Sequence, residues 1–356
     1  MISHNLSVHK WTIRVLKFGI AASVVLSLAS CSDDDEDLLG NWVQLDTPFG
    51  GVPRSGAVAV VLNEKAYVGT GYDNEDIDDD NIDKLKDMYE FDGNSWKQLA
   101  YMPAEAVQRD KAVGFAAAGK IYVGTGSGET SQNNRLADFW ALDPVANTWT
   151  RVADFTGGKR YGAIAFSIGN KGYVGTGNNG GWLNDLWEYN PATDSWTEKA
   201  NLAGQKREGA VVFVMNDKAY VCTGINNGRA LDDFCVYDPA QNTWAPLRDI
   251  ADTDDNQSYD DDYNIVRSGA VAFVMDSKAY VCTASATSIG SSVWEYDPSL
   301  DLWDEKTSFE GAARRDAVGF AINNVGYVTT GRSGTSGYFD DVWRFEPNAE
   351  QEDNDN

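Results

Sequence analysis

Apolar and polar positions along this chain repeat in a unit of four short strand-like segments, written six times. Each copy runs an Arg, a Gly/Ala-rich apolar stretch, a Tyr-Val-Gly-Thr-Gly turn, an Asp-x-Trp-x-Tyr-Asp-Pro segment and a lone Trp. The cleanest is Arg160-Tyr161-Gly162-Ala163, Tyr173-Val174-Gly175-Thr176-Gly177, Asp185-Leu186-Trp187-Glu188-Tyr189-Asn190-Pro191 and Trp196. The leading arginines read as Arg54, Arg109, Arg160, Arg207, Arg267 and Arg315, spaced 55, 51, 47, 60 and 48 residues apart. Self-similarity at a period near 50 fixes an architecture before any site is considered.

Val, Ala, Tyr, Phe and Trp dominate the segments, and Gly, Asn, Asp and Pro separate them, so each unit predicts a four-stranded antiparallel sheet. The first segment, such as 209–214, is apolar almost throughout and predicts an innermost strand packed on both faces. Later segments alternate, placing Trp187 and Tyr189 on one face, where their rings fill the gap to the next unit. No unit buries its faces alone. Six arranged in a ring do, leaving only short sheet edges.

These residues resemble the kelch family of β-propellers, whose repeats carry a Gly pair after the second strand and then Tyr and Trp at fixed offsets. Here the pair is spelled Gly69 to Gly71, Gly124 to Gly126 and Gly175 to Gly177, decaying to Cys222-Thr223-Gly224, Cys282-Thr283-Ala284 and Thr329-Thr330-Gly331. The resemblance covers roughly residues 41–347 and implies an all-β fold, a six-bladed kelch-type β-propeller. The sixth copy reaches Trp343-Arg344-Phe345-Glu346-Pro347 but lacks its final Trp strand, whereas the chain opens with an orphan Asn41-Trp42-Val43-Gln44-Leu45. The N-terminal strand is therefore expected to complete the last blade.

The ends add location. Residues 1–30 hold Lys10, Arg14 and Lys17, no acid, and an apolar stretch from Phe18 to Ala29, which reads as a secretory signal. Its end, Leu28-Ala29-Ser30-Cys31, resembles the bacterial lipobox, so Cys31 is the expected lipidation site and lipid the only membrane anchor. Residues 31–40, with the run Asp33 to Asp37, read as an acidic tether, and the cluster behind Cys31 resembles the export tag of surface lipoproteins in Bacteroidetes-type bacteria. Residues 41–347 form the propeller, and 348–356 read as a disordered acidic tail. The expected location is the cell envelope, as a surface-exposed outer membrane lipoprotein.

Without residues 1–30 the chain carries 26 basic against 54 acidic residues, a net charge of −28, which argues against nucleic acid as a partner. Both histidines, His4 and His9, lie in that signal. Triads, His-ligated zinc and galactose-oxidase-like copper chemistry are thereby excluded. Of the other cysteines, Cys222 and Cys235 are a disulfide candidate if their strands are adjacent, the alternative being small buried thiols.

In an antiparallel blade the loop between strands two and three opens on the same face as the link between blades. Variable loops on a rigid scaffold are where recognition lives. The repeat arginines Arg54, Arg109, Arg160, Arg207, Arg267 and Arg315 are expected to ring the channel mouth, either binding or pairing with a neighbouring blade's acids. Arg229, Arg332 and Trp182 stand in the loops around them. Arginine forks suit carboxylates and Trp rings suit sugars, and the kelch resemblance implies arginines that grip acidic peptides at this level.

The acidic insertions Asp73 to Asn81 and Asp252 to Asp262 are rich in oxygen ligands, so calcium is the one cofactor to consider, although the turn spacing with its central Gly is absent. Two functions remain. One is a non-catalytic surface protein that binds a glycan or protein ligand. The other resembles the sialic acid mutarotase/epimerases, with Glu208 and Glu129 as acid/base candidates.

Overall fold

A computed structural model describes residues 38–73, 84–128, 134–251, 264–284, 289–334 and 337–352. Residues Leu38–Asn356 fall in one compact unit. Six four-stranded antiparallel sheets follow one another along the chain, and no helix occurs among the described residues.

Blade three shows the plan. Its strands Ile164–Ile168, Lys171–Gly175, Leu186–Asn190 and Ser195–Lys199 pair in sequence order, innermost to outermost. Only blade six breaks that order. There Val318–Ile322, Val325–Thr329 and Val342–Glu346 are followed by Asn41–Gln44, whose register against the third strand runs Asn41 to Glu346 and Gln44 to Trp343. Trp42, fully buried, stacks on Phe345 at 4.5 Å and meets Phe309 edge-on at 4.9 Å. It takes the place that Trp96 holds against Phe91 in blade one and Trp303 against Tyr296 in blade five. The expected N-terminal closure is what the structure shows.

The seam extends beyond the strand. Gly40 donates to the Ala349 carbonyl at 2.8 Å, and Glu352 donates to the Asn41 side chain at 3.0 Å. Residues 348–352, part of the tail expected to be disordered, thus lie against the start of the first strand.

The innermost strands depart from expectation in one respect. They alternate buried and half-exposed positions, as in Val58–Leu62 and Val211–Met215. One side packs between blades; Ala59, Gly114, Ala165, Val212, Ala272 and Gly319 instead line the central channel.

Cys222 and Cys235 do sit on adjacent paired strands, yet their thiols are free. Cys222 packs with Val281 and Trp294 between blades four and five, whereas Cys235 packs with Ile164 and Leu186 between blades three and four. Side chains alternate across a strand, so the two thiols point to opposite faces of one sheet.

Candidate functional site

The site is built on turns that every blade forms alike. In each Tyr-Val-Gly-Thr-Gly turn or its variant the Thr adopts a left-handed backbone: Thr70, Thr125, Thr176, Thr223, Thr283 and Thr330 have φ between 54° and 64°. A β-branched residue is strained there. The repeat arginine holds it. Arg54 donates to the Thr70 carbonyl at 3.0 Å, Arg160 to Thr176 at 2.8 Å and Arg314 to Thr330 at 3.0 Å, always across sixteen residues.

The same guanidinium forks onto the Asp that opens the third strand of its own blade. Arg54 reaches Asp87 at 2.5 and 2.7 Å and Arg109 reaches Asp138 at 3.0 and 2.7 Å. Arg160 pairs with Asp185, Arg207 with Asp233 and Arg314 with Asp341. Burial alone would raise the Asp138 carboxyl, but the Arg109 hydrogen bonds and charge and the Trp140 indole prevail and hold it below the usual range.

The expected ring of ligand-facing arginines is therefore corrected. Arg54, Arg109, Arg160, Arg207 and Arg267 are at most 2% exposed, and the forks of the first four are spent on aspartates of their own blades, not of neighbouring ones. The sixth member is Arg314, not Arg315. Arg315 stands one residue later, where the other blades carry Ser55, Asp110, Tyr161, Glu208 and Ser268.

One further residue along, six backbones form a closed collar. The amides of Gly56, Lys111, Gly162, Gly209, Gly269 and Asp316 each donate to the carbonyl of the preceding member, Gly56 to Asp316, at 2.8 to 3.1 Å. All six have positive φ. Glycine adopts that region freely, so Gly is the default and Lys111 and Asp316 are the deviations.

Above the collar lies a cavity of about 230 Å³. Its distinctive side chains are Lys111, Tyr161, Glu208, Ser268, Arg315 and Asp316, with Ile225 beside them. On one side Glu208 Oε1 accepts from the Trp182 indole at 3.2 Å and from the Asn178 amide at 3.4 Å. Arg135 donates to Asn178 at 3.2 Å and covers the Tyr161 ring at 5.3 Å. On the other side Asp316 Oδ2 draws in Arg315 at 3.3 Å and Arg332 at 3.2 Å, two cations on one carboxylate. The cavity thus has an acidic wall on blade four and a net basic wall on blade six.

Of the expected site residues, Glu208 and Arg315 line this cavity. Trp182 and Arg332 stand directly behind them, each hydrogen-bonded to a lining residue. Arg229 is exposed on the Ile225–Asn226 and Arg229–Ala230 hairpin, 3.6 Å from Asp232. Glu129, Cys31, and the acidic stretches 74–81 and 252–262 proposed for calcium lie outside the described residues. Tyr161, Lys111 and Ser268 were not anticipated. The signal for Tyr161 and Ser268 is the residue after each buried arginine, which varies in chemistry while the Arg before it stays fixed.

A six-bladed β-propeller is the class that this fold defines. The KLHDC2/KLHL20/DRC7 Kelch-repeats domain matches residues 128–256. The solved structure of YjhT aligns with a TM-score of 0.67 at 17% identity, covering 83% of this chain and 95% of that one, a likeness of fold. No curated protein matches in sequence.

Proposed function

We propose that this propeller is a non-catalytic binding protein, anchored to the outer membrane through lipid on Cys31, that takes one sugar residue of a glycan at its channel mouth. The observation that supports this reading is the two-walled cavity above the collar. Its volume lies below the roughly 300–1,000 Å³ typical of drug-sized sites, a scale that suits one sugar ring better than a polypeptide segment. Glu208 and Ser268 supply acceptors for hydroxyls, Tyr161 an aromatic surface, and Arg315 a donor for a carboxylate.

Anchoring rests on the lipobox-like Leu28-Ala29-Ser30-Cys31, and surface display on the acidic stretch behind it. Metabolic labelling with a palmitate analogue tests the anchor. Label lost in Cys31→Ala supports it, and label retained refutes it. A glycan array probed with the lipid-free domain tests the ligand: discrete glycan signals support a sugar site, whereas a blank array with capture of a protein partner favours the protein ligand.

A second reading, a mutarotase/epimerase-like sugar isomerase, draws support from Glu208. Its Oε1 is fixed by two donors, while Oε2 lies along Gly162 on the collar. A held carboxylate at hydrogen-bond reach of a bound sugar is what proton transfer requires. Exchange spectroscopy on sialic acid anomers, with Glu208→Gln as the variant, decides between the two: exchange that the variant abolishes makes the protein an enzyme.

A further inference from the structure

One of the six arginine staples has no carboxylate among the described residues. In blade five the residue that opens the third strand is Ser292, where the other blades carry Asp87, Asp138, Asp185, Asp233 and Asp341. Arg267 donates to the Ile265, Thr283 and Ser292 carbonyls at 3.0, 3.1 and 3.1 Å and to the Ser292 hydroxyl at 2.9 Å. It is 2% exposed, and among the described residues it makes no ion pair. Every other member of the ring has its carboxylate.

A guanidinium taken out of water without an anion is strongly disfavoured, because neutral carbonyls do not replace a counter-charge. Among the described residues no titratable neighbour supplies one. Cys222 and Cys282 flank Arg267, but burial pushes both thiols up and keeps them protonated. Glu305, on the outer strand of the same blade, adds only a weaker field. The consequence reaches Arg267 itself, whose burial draws it down to about 10.

The missing partner's position is reachable. In the other blades the equivalent Asp side chains are 7–23% exposed, so this layer opens to solvent beside a buried arginine. Ser292 is likewise only half-buried, shorter than Asp and uncharged. We propose that blade five is an anion site: a small anion, chloride or the carboxylate of a small organic acid, accepts from the Arg267 guanidinium and the Ser292 hydroxyl where aspartate stands in the other blades. The site is separate from the channel-mouth cavity, since the guanidinium points along its blade toward the third strand. Failure of either proposal leaves the other standing.

The test is thermal unfolding of the whole protein, titrated with sodium chloride or with sodium formate and held at constant ionic strength with sodium gluconate, whose anion is too bulky for the place of one carboxylate. The expected result is a saturable rise of roughly 2–4 °C with at least one probe, since a ligand that binds only the folded state stabilises it by mass action. The probe that saturates at the lower concentration identifies the source. Ser292→Asp restores the repeat and is expected to start at the higher temperature and show no dependence on either anion. Wild type insensitive to both anions, or Ser292→Asp as sensitive as wild type, overturns the proposal. Bromide-soaked crystals give a readout independent of that variant: an anomalous peak within hydrogen-bond reach of Arg267 and Ser292 supports the site, and none there refutes it.

Discussion

Arg314, and not its neighbour Arg315, forms the two-pronged ion pair with Asp341, at 2.5 and 2.7 Å, that completes the sixth blade. Two adjacent arginines thus divide the labour of the repeat: the first is buried structure and the second reaches the channel mouth. The division predicts opposite phenotypes. Arg160→Ala leaves Asp185 and the Thr176 turn without their partner and should cost about 3–5 kcal/mol, as removal of one member of a buried ion pair does. Arg315→Ala should change stability by no more than about 0.5 kcal/mol. Urea unfolding of the two variants measures both.

Closure makes a second prediction. Trp42 is buried among Phe345, Phe309 and blade five, so deletion of 41–46 should lower the melting temperature of the whole ring, and Trp42→Ala alone should cost about 3–5 kcal/mol. A truncated chain that melts where the intact one does contradicts the closed ring.

Much of this was legible in the chain. The repeat displays the blade count, the borrowed strand and the face that carries variable loops, because each follows from apolar periodicity and turn chemistry. The site was less legible, for two physical reasons. A repeated arginine looks like a binding residue until its partner is located, and Asp185 lies 25 residues from Arg160, a distance only the strand register can close. Arg314 and Arg315 were also ambiguous as a pair. The Ala three residues after each buried arginine, at Ala57, Ala112, Ala163, Ala210, Ala270 and Ala317, marks the register. The cysteines erred differently: adjacency of strands was readable, but which face each thiol takes depends on a register one residue fine.

Ala284 stands where the other blades carry the second Gly of the turn, with φ at 53°. A left-handed backbone costs a non-glycine residue roughly 1–2 kcal/mol, partly offset by the greater freedom of glycine in the unfolded chain. Ala284→Gly should therefore stabilise the protein by about 0.5–1 kcal/mol in urea unfolding.

Stability should form a plateau with pH. Burial alone would raise the carboxyls of Asp138, Glu188 and Glu295, but their hydrogen-bond donors win and hold all three below their ordinary values. Their contribution is present above the unfolded carboxylate range near pH 4 and is lost as pH falls through the folded values. Burial raises the Cys235 and Cys282 thiols to about 12. Their contribution is complete below the unfolded thiol value near 8.5 and is lost as pH rises toward 12. Urea midpoints between pH 3 and 10 should be flat from about 5 to 8 and decline on both sides. The same burial predicts that iodoacetamide leaves Cys222, Cys235 and Cys282 unmodified in the native protein at pH 8 and alkylates all three in denaturant, read by mass spectrometry.

The channel mouth is the central claim, and calorimetric titration of a glycan selected on the array measures it most directly. The account predicts saturable binding that weakens at least tenfold in Glu208→Gln and in Arg315→Ala and is unchanged in Arg151→Ala, on the outer strand of blade two. Binding that survives both mouth substitutions, or that Arg151→Ala weakens equally, would contradict it.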